Sequence, residues 1–166
     1  MAIVQRIVPC LWFGGQAEEA ARFYVSIFPN SRIGTITRHG EQGIELHRQT
    51  PGSVMSVTFY LDGQEFLALN GGPMFKFTEA VSLIVQCETQ AELDHYWNAL
   101  TDGGDPEAQQ CGWLKDRYGL SWQVVPVGLV EMLADGDTAR TGRVMEALLG
   151  MKKLDLAALR RAYEAA

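Results

Sequence analysis

Residues 7–27, IVPCLWFGGQAEEAARFYVSI, contain the pattern on which the fold prediction depends. The apolar run from Ile7 to Phe13 is typical of a strand buried on both faces, and Gly14-Gly15 ends it. Apolar side chains then recur at the helical spacing i, i+3, i+4 and i+7, at Ala20, Phe23, Tyr24 and Ile27. The stretch therefore predicts a strand followed by an amphipathic helix, which Pro29-Asn30 ends.

Three predicted strands follow this helix. They cover residues 31–38, 53–62 and 65–69. Asp62-Gly63 is typical of a hairpin turn between the last two strands, and the segment 40–52 is expected to be a loop.

The same order of elements begins again after the Gly- and Pro-containing break at 70–73. A strand is predicted over 80–87, and a helix over 90–100 with an apolar stripe at Leu93, Tyr96, Trp97 and Leu100. We expect a turn-rich loop over 101–108. Two further strands are predicted over 111–115 and 121–127, joined by a turn at Tyr118-Gly119.

The two halves align with each other. The helix stripes match at an offset of 73 residues, and the segment from Gly63 to Leu69 matches the segment from Gly119 to Val125 at an offset of 56, which places Leu67 opposite Gln123. Such a repeat indicates a duplicated unit whose apolar sheet face needs a cover. The predicted fold class is α+β: two βαβββ modules, residues 1–72 and 73–127, forming a curved sheet around a cleft.

A helical extension is predicted over residues 128–166, so that the modules and the extension together make one domain. Asp137-Thr138 has the composition of a helix N-terminal cap. Two apolar stripes follow it, at Val144, Leu148 and Met151 and at Leu156, Leu159 and Tyr163.

Composition argues against two classes of partner. The formal net charge is −6, and the basic residues near the C-terminus alternate with acidic ones, which disfavours nucleic acid. No apolar run is long enough for a membrane span, and residues 1–8 already include Gln5 and Arg6, which predicts a cytoplasmic protein with no membrane partner. The three cysteines are widely spaced and are interpreted as reduced thiols.

Several motifs resemble one known family. Residues 9–15 (PCLWFGG), followed by Ala17-Glu18-Glu19-Ala20 and Phe23-Tyr24, resemble the opening of the vicinal oxygen chelate superfamily of glyoxalases, bleomycin-resistance proteins and extradiol dioxygenases. Residues 77–83 (FTEAVSL), 92–97 (ELDHYW) and 111–119 (CGWLKDRYG), with Ser121-Trp122-Gln123, resemble its PhnB-like branch, labelled 3-demethylubiquinone 3-methyltransferase domain. The resemblance implies a glyoxalase-like fold and a homodimer.

The resemblance also implies positions for a divalent metal, on the first and fourth strands of each module. Here the matching residues are Cys10, Leu67, Ser82 and Gln123, and only Gln123 is a suitable ligand type. One amide oxygen cannot hold a metal, so we predict a protein without metal or other cofactor. The methyltransferase label is not supported by a glycine-rich cofactor fingerprint, because Gly14-Gly15 alone is too short.

Five residues are predicted to contact a ligand in the cleft, namely Gln123, Ser82, Trp12, Cys10 and Leu67. The alternation of side chains along strands places the polar members on one sheet face. Each has an alternative interpretation: Gln123 as a core amide bonded to backbone, Ser82 as a hydroxyl bonded within its own strand, Trp12 as core, and Cys10 as an inert buried thiol. The sequence identifies no catalytic residue.

Three functional hypotheses follow. The first is a metal-free protein that binds a small, partly aromatic or amphipathic molecule of unknown identity, in a cleft lined by Trp12, Leu67, Ile84 and Val125. The second is an enzyme, either methyltransferase-type as the family label suggests or dependent on a metal recruited by Glu45, His47 or Gln123. The third is an interaction protein with a vestigial pocket.

Overall fold

The computed structural model describes residues 4–165, and for His47 the main chain only. The chain divides into two compact units, Met1–Lys76 and Phe77–Ala166. Each unit contains one four-stranded mixed sheet, and the second also carries the C-terminal helices. The α+β class and the two βαβββ modules are therefore confirmed. No helix within 4–165 is both long and apolar enough to cross a membrane.

The first module runs β1 (Cys10–Phe13), α1 (Ala17–Ile27), β2 (Arg32–Arg38), α2 (Ile44–His47), β3 (Val54–Leu61) and β4 (Gln64–Asn70). Its strand order is β1-β4-β3-β2, with β1 parallel to β4 and the other pairs antiparallel. Helix α1 packs on one face of the sheet, where Tyr24 stacks on Phe59 at 6.3 Å between ring centroids. The predicted turn is also present, with positive φ at Asp62 and Gly63.

The second module repeats this plan with β5 (Ser82–Cys87), α3 (Gln90–Thr101), β6 (Asp105–Gln110), β7 (Trp113–Lys115) and β8 (Ser121–Pro126). Its strand order is β5-β8-β7-β6. Thr89 caps α3 in a capping box with Glu92, and the helix buries Leu93, Trp97 and Leu100 of the predicted stripe. The periodicity of the sequence thus predicted both sheet-covering helices.

Two predictions about the strands were wrong. The first strand begins only at Cys10, and Ile7, with 86% of its surface exposed, lies outside it; nor is β1 buried on both faces, because Cys10 is exposed. The predicted loop 101–108 is also wrong in its second half, because residues 105–110 form the edge strand β6. Pro106 is tolerated there because an edge position leaves one side of the backbone unpaired.

The C-terminal extension forms α4 (Leu129–Leu133), α5 (Thr138–Leu149) and α6 (Leu156–Glu164). Asp137 caps α5 as predicted, accepting hydrogen bonds from the amides of Ala139 and Arg140. The carbonyls of Met151 and Lys152 accept hydrogen bonds from the amides of Cys111 and Gly112, at 2.8 Å each. The segment between α5 and α6 therefore fixes the extension to the β6–β7 turn of its own unit. Residues 1–3 and 166 of the predicted boundaries lie outside the described residues.

Candidate functional site

The second sheet has one face against α3 and an opposite face, which we call the second open face. Alternation and register place Ile84, Gln123 and Trp113 there as one row across β5, β8 and β7. A neighbouring row contains Ser82, Ser121 and Lys115. Ile84 is 57% exposed, whereas Val85 and Val124, which point to the helix, are buried. An apolar side chain on this face is thus accessible to solvent.

Gln123 and Ser82, the two second-module residues predicted to contact a ligand, lie in contact. The Gln123 Nε2 atom donates to Ser82 Oγ at 2.9 Å. Neither side chain has another hydrogen bond within residues 4–165, so the Gln123 carbonyl oxygen and the Ser82 hydroxyl hydrogen have no protein partner there. If the amide is placed the other way round, the hydroxyl donates to Oε1, and the pair still retains a donor and an acceptor.

This contact answers part of the question that the sequence left open about the two residues. Gln123 does not bond to backbone in the described chain, and the Ser82 hydroxyl bonds to a side chain on the adjacent strand and not within its own strand. The register adds a detail: Cys10 pairs with Leu67, whereas Gln123 pairs with Ile84. Ile84, and not Ser82, therefore occupies the position equivalent to Cys10.

Trp113 is a candidate residue that the sequence reasoning missed. It lies directly opposite Gln123, is half-buried, and its indole N–H has no hydrogen-bond partner among the described residues. A half-exposed indole beside an amide can stack on a flat ligand. The missing signal was the turn: Cys111 and Gly112 both have positive φ and form a two-residue hairpin loop, so the strand begins at Trp113 and not at Cys111.

Charged and polar groups mark one end of the second open face. Lys115 forms an ion pair with Glu79, and its ammonium group lowers the pKa of the Glu79 carboxyl below the usual range. Ser121, which is 1% exposed, has an Oγ atom with no hydrogen-bond partner within 4–165. The face therefore combines an apolar and aromatic row with a polar row.

The other three predicted residues lie in the first module. Cys10 is exposed and pairs in register with half-buried Leu67, while Trp12 follows two residues along β1 on the same face. Partial desolvation raises the pKa of the Cys10 thiol above its ordinary value, which disfavours the nucleophilic thiolate. The alternative interpretation of Cys10 was an inert buried thiol. The structure contradicts the burial, because Cys10 is exposed.

Trp12 is held by the loop that follows β4. Its indole Nε1 donates to the Gly72 carbonyl at 2.9 Å, and its ring meets Phe75 edge-on at 5.0 Å between centroids. A Cβ atom on Gly71 would lie 2.0 Å from the ring. The ring thus packs within its own module, while it remains half-buried.

The residues do not fit the divalent metal that the resemblance implies. By register the corresponding positions carry the thiol of Cys10, the isobutyl group of Leu67, the alkyl side chain of Ile84 and the amide of Gln123, and the predicted Ser82 would add only a hydroxyl. Only the amide oxygen of Gln123 is a good ligand for such an ion. Within residues 4–165, no three His, Cys, Asp or Glu side chains lie together in a metal-binding group. For the alternative set, the side chain of His47 lies outside the described structure.

Comparison with known proteins agrees with this architecture. Residues 5–125 match the family model of 3-demethylubiquinone-9 3-methyltransferase. The matched stretch contains both modules and stops before the helical extension. No curated protein matches the chain.

Solved structures show the same relationship. A PhnB protein from Bacillus cereus, described provisionally as a 3-demethylubiquinone-9 3-methyltransferase, is 39% identical, with a TM-score of 0.63 over 74% of this chain and 100% of its own. Protein PA1353 from Pseudomonas aeruginosa is 20% identical, with a TM-score of 0.56 over 74% and 98% of the two chains, and supports the fold alone. The chain therefore belongs to the 3-demethylubiquinone-9 3-methyltransferase family, the PhnB-like branch that its sequence resembles.

Proposed function

We propose that the protein binds a small, partly aromatic or amphipathic molecule on the second open face. The observation that carries the proposal is the Ser82–Gln123 pair, which retains one donor and one acceptor beside exposed Ile84 and half-buried Trp113. Ligand sites commonly combine apolar and aromatic walls with a few polar groups that fix orientation.

The chemistry of this face favours a ligand with a flat apolar part and a hydrogen-bonding edge. The indole of Trp113 offers a surface for stacking, and the adjacent amide and hydroxyl would pair with a group that both donates and accepts, such as a carboxamide or a phenol. A ligand without polar groups would leave the amide and hydroxyl desolvated and unpaired, which costs about 1–3 kcal/mol.

The proposal concerns binding and not a reaction. The family label names a methyl transfer. The glycine pair after β1, Gly14-Gly15, leads directly into α1, and it is too short to be the glycine-rich fingerprint of a nucleotide-cofactor site. Cys10, Trp12 and Leu67, which lie in the first unit, stay predicted ligand contacts of that unit.

Native mass spectrometry of the purified protein tests the proposal. We expect a fraction of the chains to carry a small organic molecule, released by denaturation and then identified by its fragment masses. Adding that molecule back should raise Tm in proportion to the logarithm of its concentration. If neither a bound molecule nor stabilisation by any of a panel of aromatic amides and phenols is found, the proposal is wrong.

We also propose that the protein forms a homodimer. Each sheet has two edge strands, β1 and β2 in the first module and β5 and β6 in the second, and unpaired edges are places where a second copy can add. Exposed apolar side chains on α4 and α5, including Val130 and Leu149, offer further area. Light scattering at micromolar concentration should give twice the chain mass of 18.4 kDa, and a mass equal to one chain would contradict the proposal.

A further inference from the structure

The first module has a separate cavity, of about 340 Å³, where β2 begins beside the β3–β4 turn. It is lined by Asn30, Ser31, Arg32, Tyr60 and Gly63. All five belong to the first unit, so this cavity is distinct from the second open face. None of the described side chains that line it is acidic, although the whole chain has a net charge of −6.

Among the described residues that line this cavity, Arg32 is the only cation, and its guanidinium stacks on an aromatic ring. Arg32 and Tyr60 are register partners on β2 and β3, and the guanidinium carbon lies 3.7 Å from the centre of the Tyr60 ring. Stacking on an aromatic face restricts a guanidinium while leaving its N–H groups available at the edge of the plane. Within residues 4–165, the Arg32 side chain has no ion pair and no hydrogen bond.

A second donor without a partner faces the same cavity. The side-chain amide of Asn30 makes no hydrogen bond with any described residue. The neighbouring backbone is already paired: the Gly63 amide donates to the Asn30 carbonyl at 3.1 Å, and the Asp62 amide donates to Ser31 Oγ at 3.1 Å. The turn is thus fixed by its own hydrogen bonds, while the side chains of Asn30 and Arg32 keep their donors.

Two acidic side chains adjoin the residues that line the cavity, Asp62 next to Gly63 and Glu65 at the Tyr60 hydroxyl, and neither forms an ion pair with Arg32. Glu65 instead accepts from the Tyr60 hydroxyl at 3.3 Å. A guanidinium that is not paired with a carboxylate of its own chain keeps its parallel N–H groups for another planar acceptor. Here the guanidinium stacks on the Tyr60 ring and lines the cavity.

We propose that this cavity is an anion-binding site for the oxyanion group of a small molecule, a carboxylate or a phosphate. Two parallel N–H groups of Arg32 match two oxygens of such a group, and the Asn30 amide supplies a further donor. The site is independent of the proposed ligand site on the second module, so the failure of one leaves the other intact.

The experiment is a titration with sodium acetate and, separately, sodium phosphate, followed by the NMR signal of the Arg32 side-chain N–H. Sodium chloride at equal ionic strength is the control for screening, because chloride cannot accept two parallel hydrogen bonds. We expect saturable shifts with a dissociation constant of about 1 mM for the preferred anion. Stronger binding of acetate would indicate a carboxylate ligand, and stronger binding of phosphate a phosphorylated one.

Two variants make the test specific. Arg32→Gln should weaken anion binding at least about tenfold, since it removes the positive charge and the two parallel N–H groups of the guanidinium. Because this variant lacks the Arg32 signal, its affinity is measured by calorimetry or from the NMR signals of other residues near the cavity. Arg38→Gln is the matched control, because Arg38 lies on the same strand, is exposed, and already donates to the Gly52 carbonyl. Linear shifts that follow ionic strength, or equal affinity in Arg32→Gln and the wild type, would overturn the proposal.

Discussion

The two modules are alike on the sheet face that meets the helix and different on the open face. In both, the helix buries a large aromatic side chain, Tyr24 on α1 and Trp97 on α3. On the open faces, the row Cys10, Leu67 and Thr58 corresponds to the row Ile84, Gln123 and Trp113. The two modules thus share buried side chains on the sheet face that meets the helix, whereas the side chains of their open faces differ in chemistry.

The turns that precede the fourth strands also differ, and this difference predicts the largest effect on stability. In the second module, buried Asp116 accepts hydrogen bonds from the Tyr118 and Leu120 amides and from Trp122 Nε1, the last at 2.8 Å. In Asp116→Asn, the side-chain NH2 group would face N–H groups that need an acceptor. We therefore expect the free energy of unfolding to fall by about 3 kcal/mol. Urea denaturation measures it.

The matched change in the first module is Asp62→Asn. Asp62 is exposed, sits in the tight turn with φ of 46°, and asparagine tolerates that conformation well. Asp62→Asn should therefore lower the free energy of unfolding by less than about 0.5 kcal/mol. Equal losses for the two variants would show that the turns do not differ as described.

A smaller loss is expected where the first module packs Trp12 against its own loop. By register, the second-module counterpart of Trp12 is exposed Gln86, which has no such cover. Gly71→Ala would place a methyl group 2.0 Å from the Trp12 ring, so the ring or the loop must move, at a cost of about 2 kcal/mol. Gly14→Ala is the control, since its added Cβ meets nothing closer than 3.7 Å. Thermal unfolding of both variants is the measurement, and a stable Gly71→Ala variant would refute the packing described for Trp12.

The smallest expected effect concerns the extension, which has no counterpart in the first module. The Tyr163 hydroxyl donates to Asp135 Oδ2 at 2.6 Å and lowers the pKa of that carboxyl, with Arg140 as a second partner. A carboxyl whose pKa is lower in the folded than in the unfolded chain stabilises the fold above its unfolded pKa, and this contribution disappears as the pH falls through the folded pKa.

Tyr163→Phe should therefore lower Tm at pH 7, and the difference from the wild type should shrink below about pH 4, near the unfolded pKa of an aspartate. Tyr60→Phe is the first-module comparison: its hydroxyl donates to Glu65 at a longer 3.3 Å, so we expect a smaller change at pH 7. A Tyr163→Phe difference that stays constant from pH 7 to pH 3 would contradict the role of Asp135.

The sequence predicted the elements whose side chains follow a clear period. The stripes of α1 and α3 and the turn at Asp62-Gly63 lie where their patterns placed them, as does the alignment of Leu67 with Gln123. Strand β6 could not be predicted, because Asp105, Pro106 and Glu107 have low strand propensity and lie on an edge strand.

The candidate site was predictable only in part. Alternation along β5 and β8 placed Ser82 and Gln123 on one face, and their contact confirms that placement. Trp113 was missed because the face on which a residue lies depends on the strand register, and the register here depends on the Cys111-Gly112 turn. Cysteine is an unusual residue at positive φ, so no local signal announced that turn.

The most direct test of the second open face compares Gln123→Leu with Gln64→Leu. Gln123 bonds to Ser82 on the proposed ligand face, whereas Gln64 is an exposed residue beside the first-module turn. Leucine has a similar volume and already occupies the equivalent position 67, so the fold should tolerate it. The measurement is the affinity for the co-purified molecule, taken by calorimetry with Tm measured in parallel.

We predict that Gln123→Leu weakens binding by about 1–3 kcal/mol with little change in Tm, because a polar group of the ligand loses its partner. Gln64→Leu should leave both quantities unchanged. A Gln123→Leu variant with lower stability and unchanged affinity would contradict the account, since it would make Gln123 a structural residue and not a ligand contact.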